Sequence, residues 1–346
     1  MPQSLDDALR LYDYTLPPEL IAQAPASPRD SAGLVVYDRA AEQATWTCFS
    51  AIGNFLPKNA VLVLNETKVI PAKMELTRAT GGRVSALAVG TTDVGVRVMA
   101  NRKLKIGETL LLSQEATFTV LGDEGRYWLL KPSFPVAELQ HVLELVGSMP
   151  LPPYIKKTPL SPDEQRREYQ SVFAKHSGSI AAPTASLHFT DELLASLKAQ
   201  GIRIAFVTLH VHLGTFAPLT EEQWQSGKLH VEYFSMTEET ATMLNTAKKN
   251  GDPIVAVGTT SVRTLESASD EHGKIVLHNG TTDLFIREGY TFNFVDAMIT
   301  NFHVPQSSLL MLVAAFTGRD AMMKLYKQAI EKKFRFFSFG DAMLIR

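Results

Sequence analysis

The runs at residues 202–209 and 253–257 are short, apolar and unbroken by polar residues. A strand of that kind is covered on both faces, the habit of a sheet held between layers of helix. Helical patterns flank both runs. Thr190, followed by Asp191 and Glu192, is an N-cap signal for a helix whose Leu193, Leu194 and Leu197 fall at helical spacing, and Gly201 ends it. Residues 237–249 form a second helical pattern ended by Gly251, residues 261–268 a third, and residues 307–316 an apolar fourth. Nearer the start, residues 14–22 suggest a short helix after Pro17 and Pro18, and residues 33–38 a strand. Alternation of this kind predicts an α/β layer architecture.

Between residues 60 and 131 the texture changes. Short β-rich runs at 61–64, 84–89, 95–99, 109–112, 116–121 and 127–130 are separated by turn signals such as Gly81–Gly82, Gly107 and Gly122–Gly125. Strands so regularly spaced predict a small antiparallel β-barrel. A helix at 135–146 leads out of it, residues 149–154 form a proline-stiffened linker, and residues 161–169 a short exposed helix. The fold class is therefore an α/β body with an inserted small antiparallel β-barrel. The expected boundaries are residues 1–59 and 149–346 for the discontinuous body and 60–148 for the insert.

The chain of 346 residues is 45% hydrophobic and 20% charged, enough apolar material for a sizeable core. It has no apolar run of membrane-spanning length, and its acidic, polar start does not resemble a secretory signal. Cys48, the single cysteine, excludes an intramolecular disulfide and a multi-cysteine zinc site, and its alternating surroundings read as a strand. A cytoplasmic location fits these features. The net charge of −2 is not that of a protein coating long nucleic acids, so any RNA contact needs a local basic patch. Arg102, Lys103, Lys105, Lys156, Lys157, Lys332, Lys333 and Arg335 are the candidates.

Polar clusters follow several predicted strands, where ligands of open α/β sheets bind. Gly258, Thr259, Thr260, Ser261 and Arg263 follow the run at 253–257. They either present hydroxyls and free N–H groups to an anion, ribose or phosphate, or cap the helix. Thr184, Ser186 and His188 lie in a run of small residues that permits close ligand approach. His210 and His212 share one face of an extended segment, which suits a metal only if a third ligand is found, and the segment around His230 and Glu232 supplies only a speculative one. Asn301 and His303 form a last pair ahead of the apolar helix.

These segments, in this order, resemble the S-adenosylmethionine:tRNA ribosyltransferase-isomerase family of queuosine biosynthesis. The likeness begins at residues 16–23, runs through 64–73 (with Asn65, Thr67 and Lys73) and 150–155, includes all four clusters, and ends at 335–343, which holds Asp341. It implies a monomer of two domains that uses S-adenosylmethionine as co-substrate. The partner implied is tRNA, at its anticodon region, with no membrane and no metal. The ribosyl group would pass to a 7-aminomethyl-7-deazaguanine base, giving epoxyqueuosine and releasing adenine and methionine. A divergent paralogue with another acceptor and a non-catalytic tRNA-binding protein are the alternatives.

Such a reaction needs a base to take a proton made acidic by the sulfonium, and an acid to assist adenine departure. The expected catalytic residues are His188, His210, His303 and Asp341, and the expected co-substrate contacts are Thr184, Thr259, Thr260, Ser261, Arg263 and Asn301. The chain departs from the family pattern at Ser186 and His212, where glycine is usual, and at Glu66 and Lys68. Side chains in place of glycine would narrow or re-tune the pocket.

Overall fold

The structure, a computed structural model, describes residues 4–211 and 218–346. Among these, nine strands form one mixed sheet in the order Asn279–Leu284, Lys228–Ser235, Arg203–Leu209, Val61–Asn65, Ile254–Val257, Ala297–Asn301, Ala342–Ile345, Gly33–Asp38 and Gln43–Cys48. Arg203–Leu209, Val61–Asn65, Ile254–Val257 and Ala297–Asn301 are mutually parallel, and antiparallel pairs flank them on both sides. All five residues of Val61–Asn65 are buried, and their side chains alternate between two cores. Val61 and Val63 pack with Leu244, Val262 and Leu265 of the helices Glu238–Asn250 and Gly258–Ala268, while Leu62 and Leu64 pack with Leu193 and Leu197 of Asp191–Ala199. Each such side chain contributes roughly 1.5–3 kcal/mol by leaving water.

A closed antiparallel barrel accompanies this body. Its strands are Lys73–Arg78, Arg83–Thr92, Gly95–Ala100, Thr109–Leu111, Thr117–Asp123 and Trp128–Pro132. Burial alternates along Lys73–Arg78, which sends Met74 and Leu76 inward to meet Val84, Val98, Phe118 and Leu130. The helix Leu139–Val146 places Leu139 and Leu143 on the same core, and Lys73 pairs with Ser148, so the two ends of the inserted segment lie side by side.

One expectation is corrected. The run at 61–64 was expected to open the barrel, but Val61–Asn65 lies near the middle of the large sheet. Its lack of polar alternation is the reason: a barrel strand has a wet face, whereas this one is buried on both. Two smaller differences occur nearby. The helix expected at 14–22 is only the short 3-10 turn Pro18–Leu20, and the helix expected from 261 begins at Gly258. The cap at Thr190 is formed as expected, and Thr237 caps its helix in the same way, each hydroxyl accepting from the backbone three residues on.

Candidate functional site

Val61–Asn65 comes first in the chain among the four parallel strands and is flanked by Arg203–Leu209 on one side and Ile254–Val257 on the other. The chain leads on from Val61–Asn65 to one side, toward Arg203–Leu209, and from Ile254–Val257 to the other, toward Ala297–Asn301, the arrangement that opens a crevice beyond the carboxyl ends of strands. Asn65 braces that edge: its Nδ2 donates to Leu209 O at 3.0 Å, while its Oδ1 accepts from the N–H of Leu209 at 3.1 Å and of Thr67 at 3.1 Å. Beside it lies a cleft whose lining includes Thr184, Thr259, Thr260, Thr300, Asn301 and His303, together with Tyr154, Phe337 and Ser338. It encloses about 60 Å³, room for roughly four waters.

Asn301, at the end of its strand, joins three of the predicted residues. Its Oδ1 accepts from Thr184 Oγ1 at 2.9 Å and its Nδ2 donates to His188 Nε2 at 3.1 Å. An accepting Nε2 leaves the ring proton of neutral His188 on Nδ1. His188 itself stands behind the cleft, 5% exposed, stacked on Phe49 with ring centroids 4.8 Å apart. Burial pushes its pKa down to about 4, with the Asp341 carboxylate opposing that shift and the guanidinium groups of Arg335 and Arg29 adding to it. His188 is thus a neutral acceptor that orients the Asn301 amide.

The strand Ile254–Val257 turns at Gly258, φ +84°, into the helix Gly258–Ala268. Sequence spacing left open whether Thr260 or Ser261 caps this helix, and no side chain does so. Both are buried, and neither Thr260 Oγ1 nor Ser261 Oγ has a hydrogen-bond partner. Thr259 and Thr260 line the cleft, whereas Ser261 sits behind them. Ser186 is also fully buried with its Oγ unpartnered, inside the 3-10 turn Thr184–His188.

His303 lines the cleft directly. Thr300 Oγ1 bonds its Nε2 at 2.8 Å, its N–H donates to Tyr326 Oη at 2.9 Å, and Tyr14 Oη donates to its carbonyl. Burial pushes its pKa down to about 4, so it is neutral at pH 7. Tyr154 Oη and Ser338 Oγ, also in the lining, share a 2.5 Å hydrogen bond, and burial raises the Tyr154 phenol to about 12.

The remaining predicted residues lie outside this lining. His210 pairs through Nδ1 with Thr67 Oγ1 at 2.9 Å and fills the space over Gly178, next to the lining residue Val211. His212 lies outside the described residues. Arg263 forms a buried ion pair with Glu232 and donates from Nε to Leu284 O at 3.1 Å. It borders a separate small pocket that shares Leu309 with the cleft. Asp341 turns its carboxylate away from the cleft. Its Oδ1 accepts from Gly33 N at 3.0 Å and Arg335 Nη2 at 3.1 Å, its Oδ2 accepts from Arg335 N at 2.7 Å, and only its carbonyl reaches Asn301. Among the described residues no three His, Cys, Asp or Glu side chains are grouped to hold a metal ion.

Tyr154, Thr300 and Ser338 were not singled out by sequence. Thr300 stands three residues before His303, a spacing that could have signalled the pair, but Tyr154 looked like linker and Ser338 like part of an apolar ending. Their meeting depends on long-range packing between segments 184 residues apart.

Known proteins resemble this chain over nearly its whole length. The family model described as "Queuosine biosynthesis protein" matches residues 9–345. A curated protein named S-adenosylmethionine:tRNA ribosyltransferase-isomerase, from Caldanaerobacter subterraneus subsp. tengcongensis, is 44% identical over 339 residues, covering 96% of this chain and 98% of its own. The crystal structure of an S-adenosylmethionine tRNA ribosyltransferase from Thermotoga maritima is 33% identical, with TM-score 0.56, and the match covers 97% of this chain and 100% of that one.

Proposed function

The chain belongs to the queuosine biosynthesis protein family, and from that premise we propose that it acts as an S-adenosylmethionine:tRNA ribosyltransferase-isomerase through the cleft at the carboxyl ends of its parallel strands. The ribosyl part of S-adenosylmethionine passes to the aminomethyl group of a 7-deazaguanine base in the tRNA anticodon region, and adenine and methionine leave. The observation that carries the assignment of the site is the convergence of Thr184, Thr259, Thr260, Asn301 and His303 on the lining of one cleft.

His303 is the base or acid of the reaction. It is neutral at pH 7, it faces the cleft, and Thr300 holds its ring. Asn301 and Thr184 bond the sugar or base of the co-substrate, with the Asn301 amide fixed from behind by His188. Asp341 acts at a distance, by tying Arg335 and Gly33 beneath Asn301. His210, on Thr67, and Arg263, on Glu232, serve as positioning residues at the cleft margin. The protein works as a cytoplasmic monomer of two units, a body and a barrel inserted between about residues 72 and 148.

Incubation with S-adenosylmethionine and a tRNA carrying the aminomethyl base is expected to release adenine in step with base modification. Absence of adenine release under those conditions would overturn the reading. His303→Gln is expected to lower turnover by roughly 10²–10⁴-fold, the ordinary contribution of one acid–base group, with little change in co-substrate affinity. Unchanged turnover would remove His303 from the chemistry.

A further inference from the structure

The helix Gly258–Ala268 points its first turn into the cleft, and its opening backbone N–H groups have no intrahelical acceptor by construction. In most helices a serine, threonine or aspartate covers these donors, and here no side chain does. Gly258, at φ +84°, brings the strand's end sharply round to the helix, and a methyl group added to it would stand 3.4 Å from Thr260 Oγ1 and 3.8 Å from Ala185 Cβ. Those are ordinary contacts, so it is the positive φ, and not crowding, that calls for glycine at this turn.

A second observation is independent of the helix end. Thr260 is 7% exposed and lines the cleft, and its hydroxyl has no partner in the protein. A covered hydroxyl left without an acceptor is unfavourable, and an incoming oxygen anion reverses that. Donors, helix dipole and unpaired hydroxyl all select the same chemistry, a compact anion such as a carboxylate.

We propose that the start of this helix, with the Thr260 hydroxyl, holds the α-carboxylate of the methionine part of S-adenosylmethionine. This rests on the function proposed above. The carboxylate is the one anionic group of that co-substrate, and a site for it here would leave the ribose and adenine toward Thr184 and Asn301, which line the same cleft. No bond is made or broken at the carboxylate. Its binding fixes the position of the sulfonium and the ribose carbon next to it.

The test compares S-adenosylmethionine with its decarboxylated analogue by calorimetric titration of the full chain. The protein is expected to bind the analogue roughly tenfold or more weakly, the usual weight of hydrogen bonds to a charged group. In Thr260→Val most of that discrimination is lost, while Thr260→Ser, which keeps the hydroxyl, retains it. Equal affinity of the unsubstituted protein for the two ligands would overturn the proposal, as would full discrimination in a folded Thr260→Val. Inorganic phosphate that displaces tRNA but not S-adenosylmethionine would assign the helix start to an RNA phosphate, and also overturn it. Failure of the broader reading looks different: no binding of S-adenosylmethionine and no adenine release.

Discussion

His188 and His303 are both held neutral by burial, with pKa values near 4 against about 6.5 for an exposed histidine. Between those limits the unfolded chain binds protons that the folded protein refuses. Their contribution to stability is therefore complete above about pH 6.5 and is lost as pH falls toward 4. Urea midpoints are expected to drop through that window, and His188→Gln to flatten part of the slope. Midpoints that stay level down to pH 4 would contradict the neutral state of both rings. Both histidines stand in polar clusters of the sequence, and the family resemblance made them catalytic candidates. Sequence could not separate His303, which lines the cleft, from His188, which bonds the Asn301 amide and is absent from the lining, since that distinction depends on how distant segments pack. Asp341 shows the same difficulty in a carboxylate. Its sequence neighbours do not reveal that Gly33, 308 residues earlier, donates to it.

At the scale of elements, apolar periodicity identified the strands and helices of the body, and turn residues marked those of the barrel. The placement of Val61–Asn65 was legible too, in its unbroken apolar run, but its nearness to the β-rich stretch outweighed that signal. Pairings between distant elements leave no local trace, and His176–Ser179 beside Thr67–Val69 is such a case. There Gly178 adopts φ +148°, and a Cβ on it would approach the His210 ring to 3.0 Å. Gly178→Ala is expected to destabilise the protein by about 1–3 kcal/mol through backbone strain, and to move His210 off Thr67. Urea unfolding that leaves the stability unchanged would mean that this strand does not hold the histidine.

The whole molecule carries a net charge of −2, so binding of tRNA depends on where its cations stand. Arg102, Lys103, Lys105, Lys156, Lys157, Lys332 and Lys333 are exposed, whereas Arg335 is paired with Asp341. Lys156 and Lys157 follow closely on the cleft residue Tyr154, and we expect them to matter most. Reversing both charges should weaken tRNA binding and lower its salt slope by roughly 0.7–0.9 for each phosphate that is no longer neutralised. An unchanged slope would dismiss the pair. The order of the large sheet also governs how the chain comes together in time. Gly33–Asp38 and Gln43–Cys48 pair locally with each other, yet join the sheet only through Ala342–Ile345, which lies between them and Ala297–Asn301. A hairpin made early must therefore wait, with one edge open, for a strand synthesised some three hundred residues later. Pairing across such a span is slow, and an open strand edge invites association with other chains. During synthesis or refolding, the amino-terminal hairpin is where aggregation would begin.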